Sequence, residues 1–298
     1  MKSRQTFIYG ILIGIIGIVL FSSKAVMVKL AYQYNIDALS ILLLRMLFAF
    51  PFYIAIAFAY RNERKEVTQK RAYLWLIFLG FVGYYLASYL DFVGLTYIKA
   101  SLERIILFIY PTIVLLFNKW FLKKEITNKQ KLAILITYVG ILITFGSEVS
   151  VSGNSAYLGG FFVLLSAITY ASYLVGSGWL IPKFGVMRFT SYAMLVSCVC
   201  VFIHFGIFSK VDIFNFPWQV YVLGLAIAVF ATVIPSFLVS ISIKMIDSSN
   251  FAVVAGIGPI STIVLAVIFL NESLTALQMV GTIIVILGIL LVSKSKEK

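Results

Sequence analysis

Five charged side chains fall inside long apolar stretches of the sequence, where they could do chemistry that hydrocarbon side chains cannot. They are Lys24, Arg45, Asp91, Glu103 and Arg104. Because a charge at the centre of a bilayer costs about 2.5–3.5 kcal/mol or more, such groups need partners, water or a ligand. Three bases and two acids leave one positive charge in surplus, which favours an anionic or zwitterionic ligand. Either acid could exchange a proton, and we expect Asp91, the deeper one, to do so.

A simpler interpretation exists for two of the five. Glu103 and Arg104 lie in the first turn of a predicted helix, from which long side chains can extend to the membrane interface. In the other interpretation, all five side chains line a vestibule and form a switchable network of ion pairs. Lys24 and Arg45 would then contact substrate, while Asp91, Glu103 and Arg104 would serve coupling or gating. The sequence leaves both interpretations open.

Hydroxyl and tyrosine side chains recur at helical spacing in three of the apolar stretches. Polar side chains in membrane helices normally face the bundle interior or a cavity, so residues that share one helix face predict a common substrate cavity. The alternative is that the hydroxyls bond their own backbone or pack helices together. The first stripe is Tyr84, Ser88 and Asp91, the second is Thr232, Ser236 and Ser240, and the third is Ser166, Tyr170, Tyr173 and Ser177.

Two prolines lie at matching places in the two halves of the chain. Pro111 and Pro259 are each inside an apolar stretch, the second within Gly256-Ile257-Gly258-Pro259. Proline removes a backbone hydrogen bond and kinks a helix. Matched interruptions in two halves indicate a binding site or gate, so we predict a gating role for both prolines.

The composition places these residues in a membrane protein. Of the 298 residues, 62% are hydrophobic and 12% are charged, and the mean hydropathy is +1.05; a soluble domain has about a quarter of its residues charged. The net charge of +13 is explained by basic cytoplasmic loops, so we expect no nucleic-acid partner. Cys198 and Cys200 lie two positions apart in one apolar stretch, which predicts neither a disulfide framework nor a metal site.

Ten stretches are apolar enough for membrane helices, which need about 20 residues each. With the N-terminus inside, 18 of the 24 basic residues fall in cytoplasmic segments and three in external loops. This asymmetry predicts an all-α integral membrane protein of the inner (plasma) membrane, with ten spans and both termini cytoplasmic. The predicted spans are 7–28, 39–60, 72–96, 100–120, 131–146, 157–180, 189–208, 217–243, 250–270 and 276–293.

The chain contains an internal repeat. A shift of 148 residues aligns 88–142 with 236–290 without a gap, and 14 of the 55 positions are identical. We predict a first repeat at 7–146, an external linker at 147–156 and a second repeat at 157–293. Since each repeat has five predicted spans, an odd number, the second must insert in the opposite orientation. Inverted repeats place a substrate site near the bilayer midplane at their interface.

Several segments of the chain carry a family resemblance: 95–104, Tyr110-Pro111-Thr112, 125–127, Gly258-Pro259, 271–275 and Gly281 with Gly288. They resemble the EamA branch of the drug/metabolite transporter superfamily, over nearly the whole chain but with loose motifs. The first copy departs at Lys124-Glu125-Ile126-Thr127, one residue shorter than the second copy's Glu272-Ser273-Leu274-Thr275. The resemblance implies two EamA-like domains and export or exchange of amino acids, nucleotide-related compounds, sugars or drugs.

Together these patterns predict a secondary transporter that moves a small polar or amphipathic metabolite, outward, by alternating access. The expected partners are a small-molecule substrate and membrane lipid, with the protein a monomer or homodimer. A passive facilitator and a lipid or glycolipid-carrier flippase remain alternatives. An intramembrane enzyme would need paired catalytic groups at mid-depth, whereas the charges lie toward one side. The sequence carries no phosphate loop, metal-ligand motif or nucleophile elbow, so we expect no cofactor, metal or catalytic residue.

Overall fold

A computed structural model describes residues 4–61, 70–123, 128–152 and 154–293. These residues form helices joined by short turns, and none of them is in a strand. The fourteen α-helices are α1 Arg4–Tyr32, α2 Ala38–Ala59, α3 Lys70–Gly80, α4 Ala87–Tyr97, α5 Ala100–Leu107, α6 Tyr110–Leu122, α7 Asn128–Ser152, α8 Asn154–Phe184, α9 Val186–Phe208, α10 Trp218–Ala228, α11 Ile234–Ile246, α12 Ser248–Val254, α13 Ile257–Leu270 and α14 Ala276–Ser293.

Eight helical stretches among the described residues are long and apolar enough to cross a membrane. Ala276–Gly288 is a shorter apolar helix, and α7 packs along α14. The eight stretches are Gln5–Tyr32, Ala38–Ala59, Lys70–Tyr97, Ala100–Phe121, Ser155–Phe184, Val186–Phe208, Trp218–Ile246 and Ser248–Leu270.

The helices differ from the predicted spans in their bounds and in their continuity. The fifth predicted span, 131–146, lies within the longer helix α7, and the described residues of the predicted linker 147–156 are helical. The fourth and ninth predicted spans are each two helices rather than one. They are interrupted at Phe108-Ile109, between α5 and α6, and at Ala255-Gly256, between α12 and α13.

Both interruptions lie just before the matched prolines. Pro111 and Pro259 occupy the first turns of α6 and α13, where a missing N–H costs nothing because the first four N–H groups of a helix have no partner within it. The prolines therefore start the second half of each broken helix. They do not kink a continuous one.

A second matched irregularity has no counterpart in the sequence patterns. Between α3 and α4 the chain forms a π-helical segment at Phe81–Leu86, and between α10 and α11 it forms another at Val229–Val233. The repeat offset of 148 residues superposes the starts of the two segments. In the second segment, the Thr232 hydroxyl donates to the Ile227 carbonyl five residues earlier, at 2.9 Å, which is the π-helical spacing.

The two broken helices run antiparallel to one another. At one end, the backbone N–H of Ala100, the first residue of α5, donates to Glu272, just after α13, at 2.9 Å. At the other end, Asn118 near the end of α6 donates to Ser249 in the first turn of α12, at 3.0 Å. We call these the 100/272 end and the 118/249 end of the bundle. Equivalent helices of the two repeats therefore point in opposite directions.

The remaining contacts follow the same pseudo-symmetry. Helix α1 packs against α11 and α13 of the second repeat, and its equivalent α8 packs against α4 and α6 of the first. Helices α2 and α9 pair, as do α7 and α14. In the last pair, a Cβ on Gly140 would lie 2.6 Å from the Gly281 carbonyl oxygen, so glycine permits this close approach. The first helix of each repeat therefore packs against helices of the other repeat.

Candidate functional site

The centre of the candidate site is an ion pair between α1 and α4. The Lys24 ammonium lies 2.5 Å from Oδ2 of Asp91, and the two side chains are 5% and 1% exposed. The ammonium also lies 5.0 Å from the centroid of the Phe21 ring, which is within the range of a cation–π contact. Lys24 is eight residues before the end of α1, about 12 Å along the helix axis, so the pair lies toward the 100/272 end.

Glu103 faces this ion pair from the first turn of α5. The side chain is fully buried, and neither carboxyl oxygen has a hydrogen-bond donor among the described residues. Its carboxyl group interacts electrostatically with that of Asp91, whose Oδ1 is also buried without a partner among the described residues. Two carboxyl groups form a hydrogen bond only when one of them carries a proton.

Arg104, the next residue on α5, points toward the second repeat. Its Nη2 donates to the Ser22 hydroxyl at 3.0 Å, whereas Nε has no partner among the described residues. The guanidinium occupies the space beside Gly258, where a Cβ would lie 2.6 Å from Nη2. Arg104 is 3% exposed. It therefore does not extend to the membrane interface, and neither does Glu103.

Arg45 on α2 connects the charges to the second π-helical segment. Its Nε donates to the Thr232 hydroxyl at 2.8 Å, while Nη1 is without a partner in the described part of the chain. The guanidinium carbon lies 5.4 Å from the centroid of the Phe92 ring. Arg45 also interacts electrostatically with Asp91. The five charges therefore form one cluster, which we call the charge cluster: Lys24, Arg45, Asp91, Glu103 and Arg104.

Aromatic rings continue from the charge cluster toward the middle of the bundle. Tyr170 on α8 stacks on Phe21 at a centroid distance of 6.0 Å and meets Tyr110, at the start of α6, edge to face at 5.3 Å. Tyr173 follows on α8 and packs against Tyr84 of the first π-helical segment at 4.5 Å. These tyrosines line the junction between the broken helix of the first repeat and α8.

The hydroxyls of the second predicted stripe contact two other helices. Ser236 hydrogen-bonds Tyr53 of α2, in the first repeat, at 2.9 Å. Ser240 accepts from Thr190 of α9, within the second repeat, at 2.7 Å. In the first stripe, Ser88 is buried on α4.

Hydroxyls of the second and third stripes also bond backbone carbonyls. Ser166 donates to Ala87 and so joins α8 to α4, whereas Ser177 donates to Leu174 of its own helix. Ser236 likewise donates to Val233, three residues earlier. The local bonds of Ser177 and Ser236 fit the packing interpretation of the sequence pattern.

Sequence reasoning missed four residues of the site. Tyr53 and Phe92 lie in apolar stretches, where the sequence has no motif or spacing that would identify either as a site residue. Ser22 is part of the weak repeat match at Phe21-Ser22-Ser23, which could have identified it. Glu272 belongs to a segment that resembles the family motif, but its contact with α5 joins positions 171 and 172 residues apart, beyond the reach of sequence periodicity.

Glu272 closes the 100/272 end of the bundle. Its carboxylate accepts from the backbone N–H of Ala100 at 2.9 Å, from that of Ser101 at 3.2 Å and from the Ser101 hydroxyl at 2.6 Å. A carboxylate at a helix N-terminus satisfies unpaired N–H groups and interacts favourably with the helix dipole. Because all members of the charge cluster are buried, the structure is occluded at this end.

Four members of the charge cluster have buried polar atoms without a partner among the described residues. Arg45 and Arg104 each have an unused donor, and guanidinium donors suit carboxylates. Glu103 supplies unused acceptors for a proton or a cationic group. Within the described residues, no three His, Cys, Asp or Glu side chains lie together in a way that could hold a metal ion.

Comparison with known proteins identifies the family. The EamA-like transporter family matches residues 8–146 and 157–294. The Bacillus subtilis protein "Uncharacterized transporter YcbK" is 32% identical over 91% of this chain and 88% of its own length, and "Uncharacterized transporter YyaM" of the same organism is 25% identical over 77% and 76%.

A solved structure titled "Crystal structure of protein" has the same fold. It has a TM-score of 0.71 at 14% identity and covers 98% of both chains. The resemblance seen in the sequence is confirmed by the family match and by the Bacillus subtilis relatives. The chain belongs to the EamA-like transporter family and is a membrane transporter.

Proposed function

We propose that this protein is a secondary active transporter with ten membrane spans, which moves a small polar or amphipathic metabolite out of the cell across the inner (plasma) membrane. In this topology α7 and α14 are the fifth and tenth spans, and both termini are cytoplasmic. The substrate is amino-acid-like, zwitterionic or anionic. Transport proceeds by alternating access, with the charge cluster exposed first at one end of the bundle and then at the other.

The observation that carries this proposal is the burial of five charged side chains where two broken, antiparallel helices meet. Arg104 lies on one broken helix and packs against Gly258 of the other. Burying charge without full compensation costs several kcal/mol per ion, and a protein that only needed stability would place apolar side chains there. The unused donors and acceptors therefore support a ligand that completes the cluster.

The chemistry of the unused atoms supports the substrate class. After the Lys24–Asp91 pair is formed, Arg45 Nη1 and Arg104 Nε remain as donors, and a carboxylate is the ligand group that best accepts from them. Tyr84, Tyr170 and Tyr173 offer ring faces and edges beside this point, which suits an amphipathic body.

The test is reconstitution into liposomes. A thermal-shift screen of the purified protein against pools of amino acids and related carboxylates identifies ligands, because a ligand that binds only the native state raises its stability. Uptake of each labelled hit is then measured with and without unlabelled hit inside the vesicles. We expect saturable uptake that internal substrate stimulates.

Other results would support the alternatives. Flux that never saturates and that internal substrate does not stimulate identifies a passive facilitator. Movement of a labelled lipid between leaflets, without flux of any soluble hit, identifies a flippase. Either result contradicts the proposed function. The variant Arg45→Gln removes one of the two guanidinium groups proposed to bind the ligand. It should abolish the ligand-induced thermal shift while the protein still folds.

A further inference from the structure

We propose that Glu103 carries the proton that couples transport, held in the occluded state by a hydrogen bond to Asp91. This inference rests on the proposed function, since a coupling proton needs a transport cycle. It differs from the expectation drawn from the sequence, in which Asp91 exchanges the proton because it is predicted to lie deeper in the membrane.

The contact between the two carboxyl groups is the first argument. Asp91 is engaged by Lys24 at 2.5 Å, so its charge is already compensated. Both carboxyl oxygens of Glu103 and Oδ1 of Asp91 are buried without a partner among the described residues, and the two groups interact electrostatically. Two ionised carboxylates that face each other repel strongly in a dry interior. One proton on Glu103 removes the repulsion and turns the contact into a hydrogen bond.

The positions of the nearby cations are the second argument. The charged groups that act most strongly on Glu103 are Asp91 on α4, Lys24 on α1 and its neighbour Arg104. Lys24 is paired with Asp91, and the Arg104 guanidinium donates to Ser22.

Three further helices, α7, α8 and α13, also pack against α5. Helix α13 contains no titratable residue, and Tyr170 of α8 is a phenol nearby, in ring contact with Tyr110. Among the described residues, no cation donates a hydrogen bond to either carboxyl oxygen of Glu103.

The place of Glu103 in the fold supplies a route for the proton. Glu103 is two residues beyond Ser101, which Glu272 holds at the 100/272 end. When that contact separates, water reaches the first turn of α5 and Glu103 takes up a proton from that side. When the bundle closes there and opens at the 118/249 end, the proton leaves to the other side. One proton crosses in each cycle.

Infrared spectroscopy of the purified protein tests this without any substrate. A buried, protonated carboxylic acid has a carbonyl stretch well separated from those of amides and carboxylates. We expect this band at neutral pH in the wild type, its loss in Glu103→Gln, and its retention in Glu272→Gln, the control at a carboxylate with three donors. A wild type without the band, or a band that Glu103→Gln leaves unchanged, would overturn the proposal.

Isotope labelling removes the dependence on any variant. Heavy carbon in glutamate carboxyl groups should shift the band, whereas the same label in aspartate should not. A shift with labelled aspartate would assign the proton to Asp91 and overturn the proposal for Glu103. The liposome assay is a separate readout, so absence of transport leaves the infrared assignment standing, and absence of the band leaves the proposed transport standing.

Discussion

The ammonium of Lys24 lies 2.5 Å from Oδ2 of Asp91, and both residues belong to the first repeat. The repeat offset aligns Asp91 with Val239, a buried apolar residue of α11. The ion pair therefore breaks a pseudo-symmetry that the interruptions, the π-helical segments and the prolines all obey. The scaffold is duplicated, whereas the charge chemistry is present in one copy.

Breaking this pair from one side should destabilise the protein strongly. Lys24→Met leaves Asp91 buried beside Glu103 without its cation, and we expect a loss of about 3–5 kcal/mol, as for other buried pairs that lose one partner. The double variant Lys24→Met, Asp91→Asn should recover most of the loss. Unfolding of the detergent-purified protein measures both.

The control for the loss of a lysine is Lys210→Met, at an exposed position outside the helices. It should unfold as the wild type does. If the loss of unfolding free energy in the double variant equals the sum of the losses in Lys24→Met and Asp91→Asn, the two side chains are not coupled. In that case the ion pair has no energetic role.

Gly258→Ala should disturb the charge cluster from the second repeat. A Cβ there would lie 2.6 Å from Nη2 and 3.0 Å from Nε of Arg104, so the guanidinium must leave its bond to Ser22. We expect a destabilisation of about 1–3 kcal/mol, typical of overpacking, and a matching loss of substrate-induced thermal shift. Unfolding curves with and without ligand measure the two effects.

Gly206→Ala is the matched control, because nothing lies within 4 Å of a Cβ at that helical position. Alanine there should be neutral or slightly stabilising, since glycine is a weak helix former. Equal effects of the two substitutions would show that Arg104 moves aside at no cost.

Much of this arrangement could be predicted from the sequence, and the reasons differ from residue to residue. Pro111 and Pro259 indicated interrupted helices because proline cannot donate a hydrogen bond in a helix interior. The two π-helical segments could not be predicted, since Phe81–Leu86 is a run of aliphatic, aromatic and glycine residues like many regular membrane helices. Lys24, Arg45, Asp91, Glu103 and Arg104 were identified because charge is rare in a membrane span.

The partners of those charges could not be predicted. Lys24 and Asp91 are 67 residues apart, and Arg45 and Thr232 are 187 apart. Helical periodicity gives the face of one helix and carries no information on which other helix packs there. The same limit hid the role of Glu272, whose contacts with α5 depend on the antiparallel placement of the two repeats.

Removing the Glu272 carboxylate should open the 100/272 end. Glu272→Ala leaves the N–H groups of Ala100 and Ser101 without their acceptor, and loss of such a cap costs about 0.5–2 kcal/mol. Ala100 is fully buried, so a cysteine at this position reports opening. In a background without Cys198 and Cys200, we expect Ala100→Cys to react faster with a water-soluble thiol reagent when Glu272 is alanine.

Glu272→Gln retains one acceptor oxygen and should react at an intermediate rate. A cysteine at Val201, buried on α9 and away from α5, is the control, and its rate should stay constant. If the Val201 cysteine accelerates equally, the variant has loosened the whole bundle and Glu272 is not a specific closure.

Alternating access makes a prediction for the two ends of the bundle together. The Asn118 and Ser249 side chains meet at 3.0 Å at the 118/249 end, and the Ser101 and Glu272 side chains meet at 2.6 Å at the 100/272 end. In the background without native cysteines, one variant carries Asn118→Cys with Ser249→Cys, and another carries Ser101→Cys with Glu272→Cys. Oxidation should join each pair, because the two side chains of each pair are in contact.

Transport in liposomes should stop in both oxidised variants and return on reduction. Each cross-link holds one end shut, and a carrier that must open at both ends in turn cannot complete a cycle with either end held. The thiol reagents then distinguish the states, since a reporter cysteine at Ser88, buried on α4, should stay accessible only from the end that is not cross-linked. A channel-like facilitator would also stop in both variants. Before oxidation, however, a facilitator would leave the reporter cysteine accessible from both sides at once. In a carrier, the reporter is accessible from only one side at any moment. Substrate that holds the carrier in one state should therefore slow labelling of the reporter from the opposite side.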